Sequence, residues 1–327
     1  MRIAVLGAGA WGTAIGISLA PRHAVTLWTR SPVHCAAMRS SRANEKYLPG
    51  LSLPASLEPT DDIEAALRSA ELVLVAVPTA ALRETLRRTR LNERAPVILL
   101  CKGFEPGSAK LPHQVCAEAL DPATPSGMLS GPSFAEEVAR GLPAAVTLAS
   151  RDAEFAQQAA RALHSPAFRV YSGDDVIGVE VAGAVKNVMA IAAGICDGLG
   201  YGYNARAALI TRGLAEISRF GVVLGGRAET FMGLAGVGDL ILTCTGDLSR
   251  NRRVGLKLAR GEPLAAILSE LGHVAEGVNT ARELDRLAAE VGVEMPITRA
   301  VCRVLADERQ ARVAADELLH RAPRAER

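Results

Sequence analysis

The sequence predicts an α/β domain followed by an all-α domain. In the first half of the chain, segments with helical spacing alternate with β-branched, apolar runs of strand length, at 2–6, 24–28, 72–77, 96–100, 144–149 and 168–171. The strand pattern disappears after Tyr171, and from Asp174 onward helical segments follow one another with short glycine-containing breaks. We therefore expect a first domain at 1–178 and an all-helical second domain at 179–327.

Composition and charge exclude several classes of protein. A chain of 327 residues with 49% hydrophobic and 22% charged residues is long and apolar enough for two folded domains. Its net charge of +2 is too small to hold a nucleic acid or a membrane surface by charge alone. The 6 cysteines and 6 histidines show no CxxC or HxxxH spacing, which predicts reduced thiols and no structural metal. We also expect no membrane insertion, because no uninterrupted apolar run reaches the length of a spanning helix.

The first apolar run leads directly into a glycine-rich turn, Gly7-Ala8-Gly9-Ala10-Trp11-Gly12, and helical spacing follows. In a GxGxxG turn of this kind, Gly7 allows a tight bend, Gly9 lets the backbone approach a pyrophosphate, and Gly12 lets the helix pack against its strand. The helix N-terminus then offers unpaired N–H groups to the phosphates. A purely steric glycine turn and a secretory signal are the alternatives, but a signal has no reason to encode this spacing. A GxGxxG turn between an apolar strand and a helix predicts a Rossmann-type dinucleotide-binding domain.

The segment after the second run bears on the choice of cofactor. A site that prefers NAD places Asp or Glu there, to hold the adenosine ribose. This chain has Trp28-Thr29-Arg30-Ser31 instead, with no carboxylate nearby. Because a guanidinium can pair with a 2′-phosphate, Arg30 favours NADPH. The alternative is an ordinary solvated surface arginine.

Two further segments of the first domain are candidates for ligand contact. The run at 96–100 ends in Cys101-Lys102-Gly103, and ligands of open α/β sheets collect at the carboxyl ends of strands. Lys102 is therefore a candidate contact, although lysines also close strands at ordinary surfaces. The turn at 131–135, GPSFA, positions Ser133 before a helix that we expect to begin near Glu136.

The segment 178–199, GVEVAGAVKNVMAIAAGICDGL, predicts a helix buried on most of its circumference, since nearly every side chain is small or apolar. Its middle carries Lys186 and Asn187. A lysine is almost never buried without a partner. Lys186 therefore either extends its stem along apolar surface to an edge or acts at an internal site.

Two later segments of the helical domain carry polar groups. The run at 233–239, GLAGVGD, imitates a phosphate loop, but no strand precedes it and no Walker lysine follows, so we expect a flexible turn that delivers Asp239 to a site. Ser249-Arg250-Asn251-Arg252-Arg253 then precedes a helical run at 254–259, with Ser249 as the expected N-cap. A helix start with arginines can seat a phosphate. The alternative, a basic solvated turn, is credible for Arg252 and Arg253 and less so for Arg250.

These motifs together resemble the bacterial NAD(P)-dependent glycerol-3-phosphate dehydrogenases. The resemblance spans essentially the whole chain and rests on GAGAWGT near the start, CKG at 101–103, GPSFA at 131–135, GAVKN at 183–187, GDLILTC from 238, SRNRR at 249–253, HVAEG at 273–277 and VEMPIT at 293–298. It implies a cytoplasmic enzyme that reduces dihydroxyacetone phosphate to sn-glycerol 3-phosphate for glycerophospholipid synthesis. It also implies that Lys186 is the proton donor and acceptor, and that the helical domain binds the substrate.

The resemblance also implies residue contacts. Those to the substrate would involve Lys102, Gly131, Ser133, Lys186, Asp239, Ser249, Arg250 and Asn251. Those to NADP or NAD would involve Ala10, Trp11, Arg30, Lys102, Ala135, Arg250, Val274 and Glu276, in addition to Gly7, Gly9 and Gly12 of the glycine-rich turn. Members of the family vary at Ala10, at Trp11 and around Arg30, so the preference for NADPH is the least transferable implication. A homodimer is an open prediction.

The reaction needs groups of this kind. Hydride arriving at a ketone carbon leaves an alkoxide, which requires a proton donor and positive charge, and the phosphate needs a separate seat. Lys186 can donate, Lys102 can stabilise charge, and Arg250 with Asn251 can hold the phosphate. Burial would lower the pKa of Lys186 and a nearby Asp239 would raise it.

Two other functions compete with this one. A related two-domain reductase acting on a hydroxy acid or sugar acid is disfavoured by the phosphate-directed segment at 249–251. A nucleotide sensor without catalysis would have no need of a catalytic lysine, whereas this chain has both Lys102 and Lys186.

Overall fold

The computed structural model describes residues 1–89, 95–271, 275–307 and 309–320. The chain divides into two compact units, Met1–Glu180 and Val181–Arg327. The described strands of the first unit are β1 (Arg2–Leu6), β2 (Ala24–Trp28), β3 (Ala43–Asn44), β4 (Leu48–Ser52), β5 (Leu57–Thr60), β6 (Leu72–Val75), β7 (Val97–Leu99), β8 (Ser126–Ser130), β9 (Ala144–Ala149) and β10 (Phe168–Gly173). Its helices are α1 (Ala10–Leu19), α2 (Pro32–Ser41), α3 (Ile63–Arg68), α4 (Leu82–Thr89), α5 (Pro112–Ala119), α6 (Ala135–Ala139) and α7 (Ala153–Leu163), with a 3₁₀ turn at Thr79–Ala81.

An 8-stranded sheet in the order β10-β9-β8-β7-β6-β1-β2-β5 forms the centre of the first unit. The strands from β8 to β5 run parallel, whereas β9 pairs antiparallel with β8 and carries β10 alongside it. The strand order reverses between β1 and β6, which is the switch point at which open α/β sheets bind ligands. The predicted α/β class is confirmed.

Strand β6 shows why the apolar runs in the sequence predicted strands. All four of its residues are buried, as expected for a parallel strand covered on both faces. The sequence did not indicate β5, β8 or the β3–β4 hairpin. β5 reads LEPT and β8 reads SGMLS, and their polar residues, proline and glycine obscure the strand pattern. These strands form because neighbouring strands offer hydrogen-bonding partners.

Helices account for the regular structure of the second unit in its described residues. They are α8 (Val176–Gly198), which crosses the boundary, α9 (Gly202–Val223), α10 (Ala228–Phe231), α11 (Asp239–Thr245), α12 (Arg250–Ala259), α13 (Leu264–Leu271), α14 (Glu276–Glu290), α15 (Pro296–Leu305) and α16 (Ala311–Leu319). The all-α prediction is confirmed. The flexible turn predicted at 233–239 was wrong, because Leu234–Gly238 is a π-helix that leads into α11. Ala235 and Gly236 are buried there, which favours regular backbone over an irregular loop.

Helix α8 is the apolar helix predicted at 178–199. By length and composition it qualifies as a candidate membrane span, contrary to the expectation that no segment is long enough. However, 94% of its apolar window is buried inside the structure. Burial of this extent is typical of the core helix of a folded domain.

The N-terminus of α15 is held by a carboxylate from α9. Glu216 is 2% exposed. Its Oε1 accepts a hydrogen bond from the Ile297 N–H at 2.8 Å, and its Oε2 accepts one from the Thr298 N–H at 3.3 Å. Burial raises the pKa of Glu216 to about 7, although these hydrogen bonds and the charge of Arg219 oppose the increase.

We expect Glu216 to make the stability of the second unit depend on pH. The pKa in the folded protein lies above the ordinary value of 4.5, so the stabilisation is fully present below about pH 4.5 and is lost as the pH rises through about 7. At about 1.4 kcal/mol for each pH unit between the two values, the loss amounts to about 3 kcal/mol. Urea unfolding at pH 4.5 and 7.5 should show that Glu216→Gln reduces this pH dependence. The exposed Glu229→Gln is the control, and an undiminished dependence in Glu216→Gln would contradict the assignment.

Candidate active site

The glycine turn, residues 7–12, lies at the switch point of the sheet. Gly7 has a φ of +117°, and a Cβ atom at this position would lie 2.6 Å from the Ala76 carbonyl oxygen. A Cβ atom at Gly12 would lie 1.9 Å from the Gly7 carbonyl oxygen. At Gly9, in contrast, nothing lies within 4 Å of the Cβ position. The turn is therefore tightly packed at Gly7 and Gly12 and open at Gly9, where a bound pyrophosphate needs space.

Helix α1 begins beside this open space. Gly9 is its N-cap, no side chain caps it, and its first turn carries no acidic residue, so the N-terminus suits an anion. Ala10 is its first residue. Trp11 is only partly buried, with its ring centroid 6.4 Å from that of Phe168.

The segment at the end of β2 leaves the sheet at the same edge as the glycine turn. Leu6 pairs with Trp28 in the parallel register, and the Gly7 N–H donates to the Trp28 carbonyl oxygen at 3.0 Å. Arg30 follows and is exposed, with no hydrogen-bond partner among the described residues. An exposed guanidinium at this edge can reach the ribose end of a dinucleotide.

A second group gathers at the ends of β7 and β8. The Lys102 Nζ donates to the Gly131 carbonyl oxygen at 3.5 Å, and the Ser133 Oγ donates to the same oxygen at 3.0 Å. Gly131 has a φ of +146°, and a Cβ atom there would lie 2.9 Å from the Val146 Cα atom. Ala135 begins α6. Sequence segments about thirty residues apart thus meet because their strands are neighbours in the sheet.

The lysine cluster, formed by Lys186, Asp239 and Thr243, lies in the second unit. Lys186 is 6% exposed and Asp239 is 1% exposed. The Lys186 Nζ forms an ion pair with the Asp239 Oδ1 and donates to the Thr243 Oγ1 at 2.9 Å. The interpretation that Lys186 reaches an exposed edge therefore does not apply. The ammonium is held inside the unit by a carboxylate and a hydroxyl.

Thr243 was missed as a site residue in the sequence. Its hydroxyl donates to the Asp239 carbonyl oxygen at 2.6 Å, which leaves its lone pairs to accept from Lys186. The signal was present, because Thr243 lies about one helical turn after Asp239 in the GDLILTC motif, on the same face of α11. It could be read only once that segment was known to be helical.

The start of α12 combines a capped helix terminus with a free arginine. The Ser249 Oγ accepts from the Arg252 N–H at 3.2 Å, which confirms the predicted N-cap. Arg250 is exposed and has no ion-pair partner among the residues that the structure describes. An arginine and the first N–H groups of a helix together form a suitable seat for a phosphate.

Asn251 connects this helix start with the neighbour of Lys186. Its Nδ2 donates to the Asn187 Oδ1 at 3.0 Å, and its Oδ1 accepts from the Gly277 N–H at 3.1 Å. Gly277 follows Glu276, the first residue of α14. Val274, the other predicted contact in this segment, lies outside the described residues. Asn251 therefore links α12, α8 and α14 within the second unit.

Arg252, on the other side of α12, forms an ion pair with a carboxylate of α8. Its Nη2 lies 2.7 Å from the Asp197 Oδ2 in α8, and both side chains are 12% exposed. The interpretation of Arg252 as part of a solvated turn was wrong, whereas Arg253 is exposed. Backbone contact is close here, because a Cβ atom at Gly194 would lie 2.0 Å from the Arg252 carbonyl oxygen. Packing and charge thus hold the helix that carries Arg250 against the helix that carries Lys186.

The glycine turn at the switch point of the sheet, open at Gly9 and followed by an uncapped helix N-terminus, places the protein among those that bind a dinucleotide. The pattern of the NAD-dependent glycerol-3-phosphate dehydrogenase N-terminus matches residues 2–156, and that of the C-terminus matches residues 175–316. The chain therefore belongs to the NAD-dependent glycerol-3-phosphate dehydrogenase family.

Individual relatives agree with the family patterns. The chain is 62% identical to glycerol-3-phosphate dehydrogenase (NAD(P)+) of Nitrosospira multiformis, covering 100% of this chain and 99% of the relative. It is 60% identical to the enzyme of that name from Thiobacillus denitrificans, with 100% of both chains covered. The crystal structure of glycerol-3-phosphate dehydrogenase from Coxiella burnetii superposes with a TM-score of 0.94 at 42% identity, over 98% of this chain and 99% of that one. The protein is an NAD(P)-dependent enzyme, and the shape of the glycine turn fits that cofactor.

Proposed function

We propose that this enzyme reduces dihydroxyacetone phosphate to sn-glycerol 3-phosphate and that Lys186 is its proton donor. The lysine cluster carries the proposal, because it holds an ammonium in a buried position next to Asn187, which is bonded to the helix start that bears Arg250. A family resemblance alone would not distinguish this role from a structural ion pair. The nearby seat for a phosphate does favour a phosphorylated substrate.

The residues of the chain divide the chemistry between them. A bound nicotinamide cofactor supplies the hydride. The Lys186 Nζ then gives its proton to the oxygen that becomes the hydroxyl, and in the reverse direction Lys186 accepts that proton. Asp239 supplies the counter-charge, and Thr243 orients the ammonium through its hydroxyl oxygen. Arg250 and the first turn of α12 bind the phosphate, which positions the carbonyl group.

The first unit contributes the contacts with the pyrophosphate and the adenosine ribose in this proposal. Gly7, Gly9 and Gly12 shape the turn for the pyrophosphate, and Arg30 meets the adenosine ribose. Lys102, Gly131 and Ser133 remain predicted substrate contacts, and Lys102 would add positive charge. The remaining predicted contacts with the cofactor are Ala10, Trp11, Ala135, Arg250, Val274 and Glu276, and those with the substrate are Asp239, Ser249 and Asn251.

The proposal extends to the setting of the reaction. The enzyme works in the cytoplasm on a phosphorylated small molecule, without nucleic acid or membrane insertion, and its product becomes the backbone of glycerophospholipids. The small net charge of +2 supports the absence of a nucleic-acid partner, and the burial of α8 supports the absence of membrane insertion. A homodimer is the proposed assembly, which light scattering of the purified protein would test.

Oxidation of NADPH or NADH, followed by absorbance, tests the reaction. Dihydroxyacetone phosphate should support rapid oxidation, and a 2-oxo acid should not. If only the 2-oxo acid supports oxidation of the cofactor, the enzyme is a hydroxy-acid reductase. If neither substrate supports oxidation, the proposal is contradicted.

Arg30 is expected to favour NADPH over NADH. Its guanidinium is exposed, so a charge-assisted bond to the 2′-phosphate is weakened by water and salt and should provide a preference of about tenfold. Arg30→Asp should reverse or abolish that preference in the ratio of kcat/KM for NADPH and NADH. Arg68→Asp makes the same change of charge at another exposed position of the first unit and should leave the ratio alone. An unchanged ratio in Arg30→Asp would show that Arg30 does not contact the phosphate.

A further inference from the structure

A buried amide lies directly beneath the glycine turn. Asn44 is 0% exposed, and its Nδ2 donates to the Ala8 carbonyl oxygen at 3.0 Å and to the Thr13 Oγ1 at 2.7 Å. Its Oδ1 accepts from the His34 Nε2 at 2.9 Å and from the Tyr47 N–H at 3.3 Å. Both donors and both acceptor positions of the side chain are used. Such a satisfied network holds its members in one arrangement.

The bond to Ala8 determines the orientation of the peptide group that joins Ala8 to Gly9. In a trans peptide the C=O and the N–H point in opposite directions. Because Asn44 holds the Ala8 carbonyl inward, the Gly9 N–H points away from Asn44. The Cβ position of Gly9 has nothing within 4 Å, so this part of the turn has room for a ligand. Asn44 therefore presets a backbone donor for an anion.

The same amide reaches the other end of the cofactor site through His34. An amide oxygen can only accept, so the His34 Nε2 carries the proton in the bond to the Asn44 Oδ1. The other ring nitrogen, Nδ1, lies 3.4 Å from the Thr29 Oγ1, and that oxygen accepts from the Ser31 N–H at 3.4 Å. Thr29 and Ser31 flank Arg30. One network thus supports both the glycine turn and the segment that carries Arg30.

We propose that Asn44 is a positioning residue for the dinucleotide: it orients the Gly9 N–H toward the pyrophosphate and, through His34, supports the turn at 29–31. Asn44 itself is buried and does not touch the cofactor. The effect on the pyrophosphate is common to NADPH and NADH, because both carry that group. This distinguishes Asn44 from Arg30, which acts on the 2′-phosphate alone.

Direct titration of NADPH and of NADH into the purified enzyme, without substrate, tests the proposal. Asn44→Leu has nearly the same shape and removes every hydrogen bond of the amide. We expect both dissociation constants to rise by at least about tenfold, and that of NADPH to rise at least as much as that of NADH, because the turn that carries Arg30 also loses support. Thr13→Val removes one acceptor of Asn44 but keeps the bond to Ala8, and it should change either constant by less than about threefold. Unchanged binding in Asn44→Leu, or equal losses in both variants, would overturn the proposal.

Two further measurements separate positioning from loss of folding. Ser150→Ala removes a hydrogen bond of another buried side chain of the first unit, from the Ser150 Oγ to the Ser126 carbonyl oxygen at 2.6 Å, and it should lower stability without changing cofactor affinity. If Asn44→Leu does not fold, Asn44→Ala leaves space for water and provides the same comparison. In the variant that folds, kcat at saturating NADPH should stay within about twofold of the parent, whereas KM for NADPH rises. A fall in kcat with an unchanged KM for NADPH would also overturn the proposal.

Discussion

Lys186→Met is expected to lower kcat by about 100-fold or more and to leave the dissociation constant of NADPH nearly unchanged. Methionine keeps most of the lysine stem but has no proton to give. Because Lys186 lies in the second unit and the glycine turn in the first, retained binding of NADPH would show that the lost activity does not come from a lost cofactor. Steady-state oxidation of NADPH with dihydroxyacetone phosphate, together with a binding titration, measures both quantities.

The ion pair with Asp239 requires a second variant in this test. Removing Lys186 alone leaves a carboxylate that is 1% exposed without its cation, and breaking a buried pair in this way typically costs about 3–5 kcal/mol of stability. The double variant Lys186→Met with Asp239→Asn removes the unpaired charge and should regain stability but not activity. Activity close to that of the parent in either variant would exclude Lys186 from the proton transfer.

Arg250→Ala is expected to reduce kcat/KM for dihydroxyacetone phosphate by about 10- to 100-fold, which corresponds to one charge-assisted contact of about 1.5–3 kcal/mol. The use of dihydroxyacetone, which has no phosphate, should fall much less. Binding energy from a remote group that does not react is what this variant loses. Comparing the two substrates at saturating NADPH isolates the contact with the phosphate.

Arg253→Ala provides the matched control for Arg250→Ala. It removes the same charge from the same helix, at an exposed position, and should change kcat/KM for dihydroxyacetone phosphate by less than about threefold. Equal losses on both substrates in Arg250→Ala would place Arg250 away from the substrate phosphate, for example on the cofactor.

Much of the first unit could be predicted because its strands and its glycine turn depend on residues that are neighbours in the sequence. A buried parallel strand is a continuous apolar run, and a GxGxxG turn between such a run and a helix has few geometrical solutions. Strands β5 and β8 escaped notice because their pairing with neighbouring strands outweighs weak local preferences. In the second unit, the π-helix before α11 was read as a turn because glycines usually interrupt helices.

The sequence by itself determined the two fold classes, the dinucleotide turn and the choice of Lys186, Arg250 and Ser249 as candidates, since each depends on neighbouring residues or on a repeating local spacing. The tertiary structure alone decided which groups these residues meet. Lys186 contacts Asp239 and Thr243, which lie 53 and 57 residues away in the sequence. Asn187 and Asn251 are 64 residues apart, and Asn44 and Ala8 are 36 residues apart. Such pairs depend on how helices and strands pack. Hydrogen bonds between buried polar groups so far apart in the sequence produce no periodic pattern that could be recognised in it.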